Sequence, residues 1–70
     1  MSLAMASGQL SDARKTLLAR WECMRRTWND DVSQRFEDRF IVQLDRDLRD
    51  AAQAMATMDG RLRQIRRECE

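Results

Sequence analysis

The sequence predicts an all-α fold, and two observations support this prediction. Pro is absent and only two of the 70 residues are Gly, while Ala, Leu, Met, Arg, Glu and Gln, which favour helices, dominate. Small or apolar residues also recur with alternating spacings of three and four, and no stretch shows the period of two that is typical of strands. This repeat indicates a helix that buries one stripe against another helix. Its members are Ile41, Leu44, Leu48, Ala51, Met55, Met58, Leu62, Ile65 and Cys69.

The first helix is predicted over about residues 10 to 27. Residues 1 to 9 are small or polar, so we expect a disordered leader, with a single domain over residues 10 to 70. Arg14 occupies one position of the apolar stripe of this helix. The stripe otherwise comprises Leu10, Leu17, Trp21, Met24 and Trp28, with Leu18 beside it.

Residues 28 to 31 form the predicted break between two helices. Asn and Asp, which dominate this stretch, compete with the backbone for hydrogen bonds and favour turns and caps. Asp30 or Asp31 can cap the next helix, and Asp31 with Gln34 approximates a capping box. Neither Gly nor Pro enforces the break, so one continuous helix is the alternative. Gly60 is a second candidate break, but the heptad phase continues through it, which favours a surface Gly within the helix.

The second helix is predicted from about Asp31 to Glu68 and is much longer than the first. At the rise of an α-helix it spans ~57 Å, against ~27 Å for the first helix. Its early apolar residues are four apart, and such spacing drifts against a heptad seam, so we expect the contact face to rotate around the helix there. These early residues are Val32, Phe36, Phe40 and Leu44.

The mismatch in length predicts a dimer. An antiparallel hairpin with a short first and a long second helix leaves the far apolar stripe uncovered, and soluble monomers rarely expose such a stripe. We therefore expect the hairpin to dimerise into a four-helix bundle, with a second copy or a related helical hairpin as its partner. The predicted hairpin core is Leu17, Trp21, Met24, Trp28, Phe36, Phe40 and Leu44. The predicted interface is Leu48, Ala51, Met55, Met58, Leu62 and Ile65.

Composition excludes several classes of function. Thirteen basic and twelve acidic residues are interspersed for a net charge of +1, which gives no general reason to expect nucleic acid or a membrane surface as a partner. Two Cys without any His cannot complete a zinc site. The bulky apolar run at residues 40 to 42 is too short for a bilayer, and the N-terminal residues lack the features of a signal peptide. We therefore expect a cytoplasmic location with reduced thiols.

The expected function is a non-enzymatic protein–protein interaction or scaffold module that self-associates through its second helix. We expect no cofactor, no metal and no small-molecule substrate, because the chain lacks His, Tyr, a Gly-rich phosphate loop and a nucleophile beside a base. The alternative is an arginine-rich helical module that binds nucleic acid. Its arginines are distributed around the helix and also suit a helix C-terminus through the dipole, so we prefer the first reading. They are Arg61, Arg63, Arg66 and Arg67.

Trp28-Asn29-Asp30, followed by Val32 and Phe36, has the spacing W-x-D-x-V-x-x-x-F. This pattern resembles the WXG-motif family of small helical hairpins, the ESAT-like substrates of type VII secretion, which place Trp-X-Gly in the turn between two antiparallel helices. The resemblance implies that Trp28 is the turn tryptophan and that export without a cleaved signal peptide is the alternative location. Asp30 stands where the family has Gly, and the chain has no Tyr for the family's C-terminal export signal.

Overall fold

The computed structural model describes residues 2–69, and it confirms the all-α prediction, since no strand occurs in this range. The helix α2, the π-helical turn and the helix α3 follow one another without interruption, so we refer to residues 31–69 as the long segment. The elements are α1 (Leu3–Arg25), α2 (Asp31–Phe36), the π turn (Glu37–Ile41) and α3 (Val42–Cys69).

The start of α1 differs from the expectation of a disordered leader over residues 1 to 9. The helix begins at Leu3, and Ser2 caps it by accepting a hydrogen bond from the Met5 backbone N–H. Met1 lies outside the described residues. With 23 residues, α1 is ~35 Å long. It therefore covers more of the long segment than the predicted first helix would.

The helix α1 lies against the long segment and runs in the opposite direction. As the residue number in α1 rises, the number of its hydrogen-bond partner in the long segment falls. The molecule is accordingly flat and elongated, with extents of 59 × 17 × 11 Å. Three of the joining bonds are Ser7 Oγ to Ala52 O at 2.8 Å, Arg14 Nη1 to Asp45 Oδ1 at 2.7 Å, and Trp21 Nε1 to Glu37 Oε1 at 2.7 Å.

The predicted break between the helices is present, although its cap differs from the one expected. The side chain of Asp30 accepts from the backbone N–H of Ser33, and the Ser33 hydroxyl accepts from the backbone N–H of Asp30, each at 2.9 Å. The capping box is thus Asp30 with Ser33, not Asp31 with Gln34. Gly60, the other candidate break, is exposed within α3 as predicted.

The π turn explains the residues that are spaced by four. The backbone N–H of Val42 donates to the carbonyl oxygen of Glu37, an i→i+5 bond that takes up one extra residue in the turn. A spacing of four through this turn therefore stays on one side of the long segment. Ser33, Glu37 and Ile41 accordingly share one side: Ser33 and Ile41 are buried, and Glu37 accepts the hydrogen bond from the indole N–H of Trp21. The predicted rotation of the contact face is wrong for this reason.

The core is a thin layer between α1 and the long segment. Trp21, Ile41 and Ala52 are its buried apolar residues, and Ser33 is fully buried at the capping box. We call the side of the long segment that faces α1 the inner row. From the end of the π turn onward its members, all buried or half-buried, are Ile41, Asp45, Leu48, Ala52, Met55 and Asp59.

Candidate interaction face

A second apolar row runs along the long segment beside the inner row. Successive residues of an α-helix are ~100° apart, so these positions lie roughly 60–120° round the helix from the inner row. Phe40 and Met58 are each 51% exposed and Ile65 is 53% exposed. These are large side chains with no neighbour from α1 over them. We call this set the outer row: Phe40, Leu44, Ala51, Met58, Leu62 and Ile65.

Two residues of α1 extend the outer row across the pair of helices. In an antiparallel pair, a turn in the same sense from each helix's contact line leads to the same side of the pair. Leu17 and Met24 lie on that side of α1, where Leu17 is half-buried and Met24 is 51% exposed. The outer row with Leu17 and Met24 therefore forms one surface, which we call the apolar face.

The opposite side of the pair is more polar. Two acidic residues of a shallow groove there form ion pairs with α1, Glu37 with Arg25 at 3.2 Å and Asp45 with Arg14 at 2.7 Å. The contrast between the two sides makes the molecule a two-helix layer with one apolar side. The groove is lined by Leu18, Trp21, Glu22, Arg25, Glu37, Ile41, Val42 and Asp45.

An aromatic cluster at the turn end links the core to the apolar face. The ring of Trp21 is buried and lies 5.2 Å from that of Phe36 and 6.0 Å from that of Trp28, which it meets edge to face. Phe36 in turn contacts Phe40, whose ring lies half outside. Such pairs add to the free energy of burying the rings. The exposed aromatic surface of the face is thereby anchored to the buried core.

Hydrogen bonds hold this end of the face in place. The indole N–H of Trp21 donates to Glu37 Oε1 in the π turn, and the guanidinium of Arg25 pairs with the other oxygen of the same carboxylate. Arg25 Nη2 also donates to Asn29 Oδ1 at 2.9 Å and to Gln34 Oε1 at 3.1 Å. The C-terminal end of α1, the turn and the start of the long segment are thus joined through one network.

The chain exposes more surface than a compact protein of its size. Its solvent-accessible surface is 5819 Å² for a mass of 8.3 kDa. Folded monomers of this mass expose about 4,600 Å² on average, so the excess is roughly 1,200 Å². Each partner in a standard protein–protein interface buries about 800 Å². The excess is therefore large enough for one such interface.

The structure divides the predicted interface between two surfaces. Leu48 and Met55 lie on the inner row, half-buried against α1, because α1 starts earlier than the sequence suggests. Ala51 is half-buried at the border between the rows, whereas Met58, Leu62 and Ile65 are exposed on the apolar face.

The predicted hairpin core is divided in the same way. Trp21 is buried, and Leu17 and Trp28 are half-buried. The other four predicted core residues are more than one third exposed on the open side, so they do not belong to the core within the chain. They are Met24, Phe36, Phe40 and Leu44.

Two of the buried residues were not predicted from the sequence. Ser33 follows Asp30 at the spacing of a capping box, and that signal was available in the sequence. Ala52 lies in a run of small residues, where nothing in the pattern distinguishes it from Ala51 as the one that faces α1.

Residues 2–69 contain no group of three or more His, Cys, Asp or Glu side chains that could hold a metal ion. Over the same residues, no helix combines the length and the apolar composition that crossing a membrane requires. Comparisons with protein-family models, with curated proteins and with solved structures return no match.

Proposed function

We propose that this chain is a non-enzymatic protein–protein interaction module that self-associates. In this proposal an antiparallel helical hairpin buries its apolar face against a partner, and two hairpins form a homodimeric four-helix bundle. The observation that supports it is the outer row, which runs from the π turn along α3 and lies on the same side of the molecule as Leu17 and Met24. A two-helix layer that is apolar on one side is the half of such a bundle.

The surface area supports the same proposal. An interface of standard size brings the exposed surface of each copy close to the value for a compact chain of this mass. The half-exposed Phe40, Met58 and Ile65 supply large apolar side chains over the length of this interface. Burial of such side chains is the main favourable term in the association of helices in water.

A charge placed on the face tests the proposal. Met58→Glu sets a carboxylate in the middle of the outer row, and burial of an unpaired charge is strongly unfavourable. Sedimentation should show this variant as a monomer at micromolar concentrations where the unmodified chain is a dimer. The circular dichroism of its helices and the fluorescence of Trp21 and Trp28 should change little.

Gln53→Glu is the matched control, because Gln53 is exposed on α3 away from the apolar face. It introduces the same charge one and a half turns earlier in the helix and should leave the dimer intact. If the Met58 variant keeps the mass of the unmodified chain, the apolar face is not the interface.

The turn supports a finer proposal, that the chain is a WXG-like hairpin. Trp28 lies between α1 and α2, half-buried, with its ring 6.0 Å from Trp21 and 6.4 Å from Phe36. This is the position that the resemblance implies for the turn tryptophan. A gene for a type VII secretion ATPase beside the gene for this chain would support export by that route. Retention of the tagged chain in cells with an active type VII system would contradict it.

A further inference from the structure

We infer that the occupant of the apolar face is a second copy of this chain lying antiparallel to the first, with the two-fold axis near Ala51–Ala54. This inference rests on the proposed self-association and specifies its geometry. The tail of α3 in each copy then lies across the aromatic turn end of the other. Three features of the chain support this arrangement: the distribution of bulk along the outer row, the length of α3 that α1 leaves uncovered, and the charge at each end.

The outer row has small residues at its centre and large residues on both sides. Phe40 and Leu44 precede Ala51, and the other large members follow Ala54 at similar distances. Small side chains allow two helix backbones to approach closely at the crossing point. An antiparallel copy then places Phe40 and Leu44 against the large residues that follow the centre of its partner. Those residues are Met58, Leu62 and Ile65.

The uncovered tail of α3 favours the antiparallel direction over the parallel one. The helix α1 starts beside Asp59, whose Oδ1 accepts from the Ala4 backbone N–H at 3.3 Å. Its first residues share a shallow groove with Arg63 and Arg66, so residues 67–69 extend beyond it. In a parallel dimer each tail meets only the other tail. In an antiparallel dimer each tail meets the turn end of the other copy, which is two helices wide and exposes Phe40 and Met24.

The charges at the two ends agree with this choice. Residues 59–70 contain four Arg against one Asp and two Glu, for a net charge of +1. Residues 22–39 contain four Arg against five Asp and Glu, for a net charge of −1. An antiparallel dimer sets these unlike ends together, whereas a parallel dimer sets each end against its equal. The dipoles of the two α3 helices also oppose each other only in the antiparallel dimer.

The two native cysteines provide the test, since both are exposed and they lie at opposite ends of the molecule. Cys23→Ser leaves Cys69 as the one site for a nitroxide spin label, and Cys69→Ser leaves Cys23. Pulsed electron–electron double resonance then measures distances between copies. In the antiparallel dimer, two labels on Cys69 should be about 50 Å apart, given the rise per residue and an axis near Ala51–Ala54.

A mixture of the two labelled variants is the matched control. Labels on Cys23 of one copy and Cys69 of the other should be less than about 30 Å apart in the antiparallel dimer, because they lie at the same level along it. In a parallel dimer the two Cys69 labels are close together, and Cys23 of one copy is far from Cys69 of the other. That result overturns the inference and leaves the proposed function standing. A monomeric mass for both the labelled and the unlabelled chain contradicts the proposed function and the inference together.

If the label on Cys69 prevents dimerisation, a second labelling site replaces it. Arg67→Cys, with both native cysteines replaced by Ser, places the label on an exposed position that points away from the apolar face. The antiparallel dimer then predicts about 45 Å between the two labels, and a parallel dimer predicts less than about 30 Å.

Discussion

Asp30 determines where the long segment begins. The Ser33 backbone N–H, followed by smaller contributions from neighbouring hydrogen-bond donors, holds the pKa of the Asp30 carboxyl below its usual range. A group whose pKa is lower in the folded chain stabilises the fold at any pH above its unfolded-state pKa. This contribution is lost as the pH falls through the lowered pKa of the folded state. The capping box therefore stabilises the fold at neutral pH and loses that effect in strong acid.

Asp30→Ala should lower the thermal midpoint by a few degrees at pH 7, because the Ser33 N–H loses its acceptor. Asp31→Ala is the matched control, since Asp31 is the next carboxylate in the chain but does not cap the helix. Thermal unfolding followed by circular dichroism measures both variants. The effect of Asp30→Ala should shrink at pH 2, and an equal effect of the two variants at pH 7 would contradict the assignment of the cap.

The ion pair between Arg14 and Asp45 is a second effect at the scale of the residue. The nitrogen–oxygen distance is 2.7 Å, and the two side chains are only 18% and 24% exposed. Arg14 occupies an apolar stripe position in the sequence, where the pattern alone gives it no partner. Only the register of α1 against α3 brings Asp45 opposite to it.

Arg14→Ala should lower the free energy of unfolding by roughly 1–3 kcal/mol, because Asp45 is left half-buried without its closest partner. Arg49→Ala is the control, because Arg49 is 65% exposed and lies 3.8 Å from the same carboxylate; it should change stability little. Urea unfolding of both variants measures the difference. An effect of Arg49→Ala as large as that of Arg14→Ala would show that the inner ion pair has no special weight.

At the scale of the element, the sequence predicts that helices form and where they are interrupted, but it does not predict where the first one starts. Residues 3–9 are helical because Ser2 caps them and because Ser7 bonds to Ala52 on the facing helix. Small side chains are compatible with a disordered leader and with a helix that packs closely. The choice between the two depends on a contact with a residue 45 positions away.

The periodicity of the sequence does not predict the π turn either. Residues spaced by four fit an α-helix whose face rotates, and they fit equally a straight face with one extra residue in a π turn. The hydrogen bond from the Val42 backbone N–H to the Glu37 carbonyl oxygen shows that the chain adopts the π turn. With that extra residue, Ser33, Glu37 and Ile41 all face α1.

Deletion of Arg39 tests this account of the π turn. Arg39 is exposed within the turn, and its removal leaves spacings of four and three that suit an ordinary α-helix. The variant should keep its helical content and its fold. Deletion of Gln53, an exposed residue of α3, should instead turn Met55 and Asp59 away from α1 by about 100°.

Circular dichroism and urea unfolding compare the two deletions. The Gln53 deletion should lower the free energy of unfolding by more than about 2 kcal/mol, since it removes Met55 from its contact with α1. A Gln53 deletion that is tolerated as well as the Arg39 deletion would show that the π turn does not take up the extra residue.

At the scale of the whole molecule, the residues of the heptad repeat do not all face the same neighbour. Its members alternate between the inner row, with Leu48 and Met55, and the outer row, with Ala51 and Met58. A sequence pattern shows that these residues need cover but not which neighbour provides it. Which neighbour covers them depends on the length of α1, and α1 is longer than the sequence predicts. The apolar tail of α3 that this longer α1 still leaves open is correspondingly shorter.

The thin core links stability to association. Among the described residues, only Trp21, Ile41 and Ala52 form a buried apolar core, and a chain of this size buries too little surface for high stability alone. A dimer adds the apolar face to the buried surface. Because a partner that binds only the folded chain stabilises it by mass action, the thermal midpoint should rise with protein concentration.

Sedimentation equilibrium of the unmodified chain tests the central claim, self-association through the apolar face, most directly. Over a range of micromolar concentrations, the proposal predicts a fitted mass that approaches twice the 8.3 kDa of the single chain, with helical circular dichroism throughout. A stable, fully helical species that keeps the mass of one chain at every concentration would contradict it.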